Sequence, residues 1–258
     1  MALTFGVTTS SRVNHGSATV LDNLDPFTVI MWMYPTTLTN GRRPYTKGAQ
    51  NTFSIYGTAG DLSFERLRTT STIYTTNNTP LATLNKWYFV AFSFNSAGAT
   101  GQIVNIYVGN LSTFAVEATY GTATDGSGSL NTDATANLII GNRPVADSAF
   151  QGRIAWVGVW NRELTLGELR AQQFRPHKTS GCVLFTHYGF NGTGTQPDWS
   201  GSGNPGTVTD ATVSSHVPLG YPFIRKPAGW IGNFTVVVGA GGDLIMKGDG
   251  FTWVLDIT

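Results

Sequence analysis

Residues 150–169, Phe-Gln-Gly-Arg-Ile-Ala-Trp-Val-Gly-Val-Trp-Asn-Arg-Glu-Leu-Thr-Leu-Gly-Glu-Leu, constrain the fold more than any other stretch. Ile154, Trp156, Gly158 and Trp160 alternate with Ala155, Val157 and Val159, and both sets are largely apolar. A strand apolar on both faces belongs inside a layered structure rather than at its surface. Asn161-Arg162 breaks the run, and Thr165-Leu-Gly-Glu168 has the spacing of a capping box, which starts a helix. The Thr165 hydroxyl is expected to accept from the Glu168 amide while the Glu168 carboxylate reaches back. Leu166 and Leu169 would lay that turn against the sheet.

Elsewhere the pattern is of short strands separated by turn residues about every 8–12 positions, which indicates a two-sheet sandwich. The candidates are 2–7, 27–34 (stopped by Pro35), a hairpin at 54–56 and 62–67 turned at 59–61, 87–94, 103–108, 138–141 and 183–190. In 87–94, Trp87, Phe89 and Ala91 oppose Tyr88, Val90, Phe92 and Phe94. Residues 122–137 read as a long, polar, glycine-rich loop.

The 150–169 block resembles the F-x-G-x-I-x-x-V-x-x-(Y/W)-N-R-x-L-(T/S)-x-x-E-(I/L) signature of the laminin-G-like, concanavalin-A-like jelly rolls. Phe27–Pro35 is similar to their early F-T-(I/V)-x-x-W strand, and Lys86–Phe92 to the central W-x-x-V-A strand. Ile106–Asn110 matches (L/I)-Y-V-N-G with Gly109 and Asn110 in reversed order, and Leu138–Gly141 matches L-x-I-G. The resemblance implies an all-β fold: a LamG-type jelly-roll β-sandwich of two antiparallel sheets with one short helix. It also implies that a late strand, 183–190, returns beside the first. Residues 1–223 would form this domain.

The segment 224–258 reads as a β-rich tail for docking or assembly. A linker-like Arg225–Gly229 precedes strand candidates at 234–238, 244–246 and 251–257, with glycines as turns. Roughly 35 residues cannot easily build a core of their own. The apolar face expected from Phe234, Val236, Val238, Phe251, Trp253, Leu255 and Ile257 must therefore pack on something else.

Charged residues make up 12% of the chain and the net charge is +1. With no run of Lys or Arg, nucleic acid is excluded as a partner, because its binding needs clustered cations. No apolar run approaches the roughly 20 residues that span a bilayer, and no signal peptide is expected. The single cysteine, Cys182, reads as a small buried apolar residue. The sequons at Asn77, Asn110, Asn191 and Asn233 carry no expectation without a secretion signal.

Catalytic patterns are missing. Glycoside hydrolysis needs two carboxylates roughly 5–10 Å apart, and the E-x-D-x-(x)-E strand of the fold's glucanases is not present. Glu163 and Glu168 read as turn and cap residues. His15, His177, His187 and His216 lack zinc spacing, and there is no G-x-S-x-G elbow. The glycines at 239–242 lack the Lys-Ser/Thr of a phosphate loop. The chain is thus expected not to be an enzyme and to require no cofactor. Calcium is the one ion its composition allows, through Asp125, Asn131 and Asp133 or through Asp22 and Asp25, set against ordinary turn formation by the same residues.

For glycan binding, the candidates are Trp199 beside Asp198, then Tyr120, with a Trp199 that plugs a sheet edge as the opposing reading. Asp198–Gly206 resembles the D-x-S-G-N-G-N-x-G loop of many proteins that carry this domain, and with Pro218–Phe223 it resembles segments of phage and prophage proteins. The function expected from these resemblances is a non-catalytic virion protein, decorating a capsid or associated with a head or tail. Its partners would be capsid or other virion proteins, copies of itself and surface glycans. The alternatives are a carbohydrate-binding or adhesin module and, less favoured, a glycoside hydrolase.

Overall fold

The computed structural model describes residues 1–219, apart from 50, 58, 59, 79, 80 and 82, together with three strands between residues 234 and 255. The chain divides into two compact units, Met1–Leu219 and Gly220–Thr258.

Two antiparallel eight-stranded sheets form the first unit. Sheet one runs β10 (Val116–Glu117), β9 (Val104–Asn110), β8 (Tyr88–Phe94), β3 (Phe27–Pro35), β13 (Gly152–Trp160), β1 (Ala2–Phe5), β16 (Thr212–Ser214). A further strand, β14 (Cys182–His187), shares one edge of β13 with β1. β1 pairs with Gly152–Ile154 and β14 with Trp156–Trp160. Sheet two runs β11 (Tyr120–Thr124), β7 (Ile73–Asn77), β6 (Asp61–Arg66), β5 (Asn51–Tyr56), β4 (Arg42–Lys47), β12 (Leu138–Ile140), β2 (Arg12–Asn14), β15 (Thr207–Thr209). The fold is the all-β sandwich expected, with one α-helix, α1 (Leu166–Phe174), among the described residues.

Phe92 of β8 sits at the centre of the core between the sheets. Its ring stacks on Phe53 at 4.8 Å and meets Phe64 at 5.0 Å, Tyr45 at 5.3 Å and Phe27 at 6.0 Å. Each such buried aromatic contributes about 2–3 kcal/mol of burial. The other face of sheet one carries a second core, in which Trp32, Phe89, Trp156 and Trp160 pack with Leu164 and Leu169 from the helix side. β8 splits between the two cores as its alternation predicts.

The helix begins as its sequence implies. The Thr165 hydroxyl accepts from the Glu168 amide, and the Glu168 carboxylate accepts from the Thr165 N–H. The Arg162 guanidinium beside it holds the Glu168 carboxyl down to about 2.

The expected faces of β13 need correction. Ile154 lies opposite Met33 and Val157 opposite Met31, so β13 takes three steps where β3 takes two. This β-bulge shifts the phase of the alternation. Ile154, Val157 and Val159 face the inter-sheet core, while Ala155, Trp156 and Trp160 join the second core. The strand beside β1 also differs from expectation. It is β16, whereas the late strand 182–187 pairs with β13. The start of the supposed loop 122–137 is strand β11, paired along β7.

The second unit is described by itself as a three-stranded antiparallel sheet, β17 (Phe234–Val238), β18 (Leu244–Gly248) and β19 (Phe251–Leu255). Its register aligns Val236 with Met246 and Trp253, Val238 with Leu244 and Leu255, and Phe234 with Gly248 and Phe251. Directly opposed residues share a face. Ile257 of the expected tail face, and Arg225–Gly229, lie outside the described residues.

Candidate functional site

An antiparallel sheet packed on one side shows water its alternate residues. In sheet two the pairings Thr122–Thr76–Ser63–Ser54 and Thr124–Tyr74–Glu65–Thr52–Thr46 define two rows on the side away from the core. The row between them, which includes Phe64, Phe53 and Tyr45, faces inward. The outer face is therefore lined with hydroxyls. Thr46, Thr52, Ser54, Ser63 and Thr76 are nevertheless buried, so they form the floor of a trough. The Thr46 hydroxyl donates to the Asn142 carbonyl at 3.0 Å, and the Ser54 and Ser63 hydroxyls bond each other at 2.7 Å.

Longer side chains rise from this floor. β4 carries a bulge between Arg42 and Tyr45, and Arg43 sits within it, its amide held by the Ser148 carbonyl at 3.0 Å. Burial lowers the Arg43 pKa, and nearby Arg143 adds to this, against Glu65 and Asp147, which raise it. The Arg43 Nε is buried without a hydrogen-bond partner. Among the described residues, neither Arg43 nor Glu65 forms an ion pair within 4.0 Å. The exposed Tyr56 meets Tyr74 edge-on, 5.7 Å between ring centroids. Burial first, then the Tyr56 hydroxyl and the Glu65 and Asp61 carboxylates, raise the Tyr74 pKa. The trough thus offers the Tyr56 phenol, the Arg43 guanidinium and the Glu65 carboxylate above a floor of buried hydroxyls, a donor and acceptor set suited to a polyhydroxylated ligand.

Asp61, Ser63 and Glu65 are alternate residues of β6, so the two carboxylates share this outer face. Ser63 stands at the intermediate position.

The residues singled out in the sequence lie elsewhere and are largely engaged. The Asp198 carboxylate accepts from the amides of Phe185 (3.0 Å), Ser200 (2.9 Å) and Asn204 (2.9 Å) and from the Ser200 hydroxyl, and so ties its own loop together. Trp199 is 48% exposed and meets Phe190, 62% exposed, edge-on at 5.4 Å. Its amide donates to the Phe185 carbonyl at 2.7 Å, so residues 198–199 cap the outer edge of β14 while the Trp199 ring stays half exposed. The Tyr120 hydroxyl accepts from the Ile106 amide at 3.1 Å and donates to Glu117 at 2.9 Å, so this side chain is pinned rather than free to act as a platform.

Asp125 caps the Gly101 amide at 2.8 Å, Asp25 the Ser96 amide at 2.9 Å, and the Asn131 amide bonds the Leu67 carbonyl at 3.0 Å. Asp133, 1% exposed, accepts from the Asn23 amide (2.6 Å) and the Asn51 side chain (2.5 Å), with Arg66 at 3.9 Å. The adjacent oxygens gather around an ammonium. Lys47 Nζ donates to Asp22 Oδ1 at 2.7 Å and to the carbonyls of Ala136 (2.5 Å) and Asp133 (3.3 Å). Among the described residues no three His, Cys, Asp or Glu side chains converge.

No helix is long and apolar enough to cross a membrane among the described residues. No curated protein matches the sequence. Among solved structures, a candidate carbohydrate binding protein from Bacteroides ovatus superposes with a TM-score of 0.63 at 15% identity, over 83% of this chain and 59% of that one. A heptameric SAP-like pentraxin from Limulus polyphemus superposes with a TM-score of 0.53 at 13% identity, over 84% of this chain and 97% of the other. At these identities the likeness is one of fold. The family model of the concanavalin A-like lectin/glucanases superfamily matches residues 7–170, more than half of the chain, and the protein belongs to that superfamily.

Proposed function

We propose that this chain is a non-catalytic carbohydrate-binding module whose glycan lies along the outer face of sheet two. The observation that carries the reading is Arg43: its Nε is buried without a partner, and its charge lies near Glu65, which pairs across the strands with Tyr74. A buried donor left unpaired costs free energy that a ligand oxygen would recover. The family and the Bacteroides protein of similar fold support the ligand class. The absence of catalysis is supported by the β6 sequence Asp61-Leu-Ser-Phe-Glu65, which has aspartate and serine where the E-x-D-x-E strand has its first glutamate and its central aspartate.

The exposed Trp199–Phe190 pair is proposed as a second contact, with Asp198 holding its loop in shape. Calcium is proposed to be unnecessary, since Lys47 supplies the positive charge in the oxygen cluster of Asp22, Asp133 and Ala136. The setting proposed for the module is the surface of a phage particle, a reading that rests on the Asp198–Phe223 sequence.

A glycan array followed by titration calorimetry tests the site. Arg43→Ala and Glu65→Gln each remove a charged hydrogen-bonding group worth about 1.5–3 kcal/mol, so affinity should fall roughly 10- to 150-fold. Undiminished binding by both variants would sink the trough as the site. Loss on Trp199→Ala alone would move the site to the Asp198 loop.

A further inference from the structure

One corner of sheet one gathers polar groups that the chain itself leaves unpaired. β14 ends at His187, directly opposite Trp156 of β13. Trp156 belongs to the second core, on the outer face of the sheet, so His187 stands on that side too. β1 reaches the same corner from the other direction. Ala2 is also in the second core, and Ser214 of β16 lies opposite it. Gly189 backs onto Ala2, where a Cβ would fall 2.9 Å from the Ala2 carbonyl oxygen, so the end of β14 and the start of β1 are in contact. Beyond Ser214 the chain turns over the outer face. The Arg153 guanidinium donates to the Ser215 hydroxyl at 2.7 Å, and Val217 and Leu219 pack into the second core. His216 lies between these two anchors.

Four side chains here have bonding capacity to spare. Trp156 is fully buried, yet its Nε1 has no hydrogen-bond partner, and the Ser214 hydroxyl is likewise buried and unpaired. The His187 ring meets Phe185 edge-on at 5.2 Å, and among the described residues neither of its nitrogens is hydrogen-bonded. His216 Nδ1 is 2.7 Å from the Val217 carbonyl, which can only accept, so Nδ1 carries the proton and Nε2 keeps its lone pair. Metal-ligating histidines are oriented in this way, by a carbonyl on the second nitrogen. Burial lowers the pKa of both rings, and the neighbouring His216 adds to the effect on His187. Both are therefore neutral at pH 7, the form in which imidazole binds a metal.

We infer that His187 and His216 together hold a borderline divalent transition-metal cation, of the zinc class, on the outer face of sheet one. Imidazole nitrogen selects such ions over calcium and magnesium, which take oxygen ligands. Water completes the coordination, and a metal-bound water is the kind of partner that Trp156 Nε1 and the Ser214 hydroxyl lack. Two protein ligands are fewer than the three or four of resident zinc sites, so the ion is taken up from solution and exchanges with it. One ligand comes from β14 and the other from the segment after β16, so a bound ion fastens residues 215–219 to sheet one. The trough is on the other sheet, and this site stands without the glycan reading.

Zinc titration calorimetry on the untagged full chain, freed of metal beforehand, tests the site. One equivalent should bind at pH 7.5, and bound zinc should raise the melting temperature. His187→Gln and His216→Gln should each weaken binding by more than about 10-fold, since losing even the supporting partner of a ligand costs at least that much. His177→Gln, at an exposed position, should bind as wild type does. No uptake at millimolar zinc overturns the inference, as does undiminished uptake by both the His187 and the His216 variants.

Should either of those variants fail to fold, nitrogen NMR of the imidazoles in the unsubstituted protein reads the site directly. Zinc should move the ring nitrogens of His187 and His216 and leave those of the buried His15 in place. Shifts confined to His177, or to any pair other than His187 and His216, overturn the inference. Neither measurement involves a sugar, so failure here is separable from failure of the glycan reading.

Discussion

Lowering the pH from 7.5 to 4.5 should destabilise the sandwich chiefly through His15. This ring is buried, and both nitrogens are engaged. Nδ1 is 2.9 Å from the Asn204 carbonyl, which can only accept, so Nδ1 carries the proton. Nε2 is then the acceptor for the Tyr188 hydroxyl at 2.9 Å. Burial outweighs the Asn204 carbonyl and the Asp198 charge and lowers the pKa from 6.5 to about 4. In the unfolded chain His15 titrates near its ordinary value, so between these two values the unfolded state binds the extra proton. Stability is fully present above about pH 6.5 and is lost as the pH falls towards 4. At about 1.36 kcal/mol per pKa unit the whole loss is about 3 kcal/mol. His187 and His216 are also lowered by burial and act in the same direction. Urea unfolding at pH 7.5, 6 and 4.5, on wild type and on His15→Gln, isolates the term. The gap in stability between the two proteins should shrink by about 2–3 kcal/mol on acidification. A gap that stays constant with pH would refute the buried neutral histidine.

Lys47→Met leaves Asp22 and two carbonyls facing an apolar side chain, and should cost about 3–5 kcal/mol, read as a fall in the urea midpoint. With Lys47 in place, calcium and EDTA should both leave the melting temperature unchanged; a rise with calcium would show that the ion adds to the ammonium. Thr165→Ala removes half of the capping box and should cost about 1 kcal/mol, measured by thermal unfolding. Thr165→Ser should recover most of it.

The strand, break and capping box of 150–169 were legible because each signal is local: alternation, Asn161-Arg162, and Thr165 three before Glu168. The bulge was not. Nothing between Ile154 and Val157 marks it, and it exists because Ala155 and Trp156 both pack on the helix side of sheet one. The trough escaped the sequence for a different reason. Thr46, Thr52, Glu65, Tyr74 and Thr124 come from separate strands and share a face only through pairing, and Arg43 reaches Glu65 only through the bulge in β4. Asp198 and Tyr120 were flagged by residue type. Type alone does not reveal that their polar atoms are satisfied by the chain itself, and Lys47 carries no signal that it lies among carboxylate and carbonyl oxygens.

The divided edge of β13 governs how this protein can reach its native state. Residues from the N-terminus and from 182–187 must both arrive before that edge is complete, and β1 must in turn be joined by 212–214. Sheet one therefore closes through contacts between distant parts of the chain, a topology that folds slowly. During synthesis, β13 would wait with part of its edge unpaired until residue 187 has emerged. An apolar strand in that condition recruits other strands. The interval between residues 160 and 187 is thus when a nascent chain is most exposed to aggregation, and a fragment ending within it should accumulate as insoluble protein.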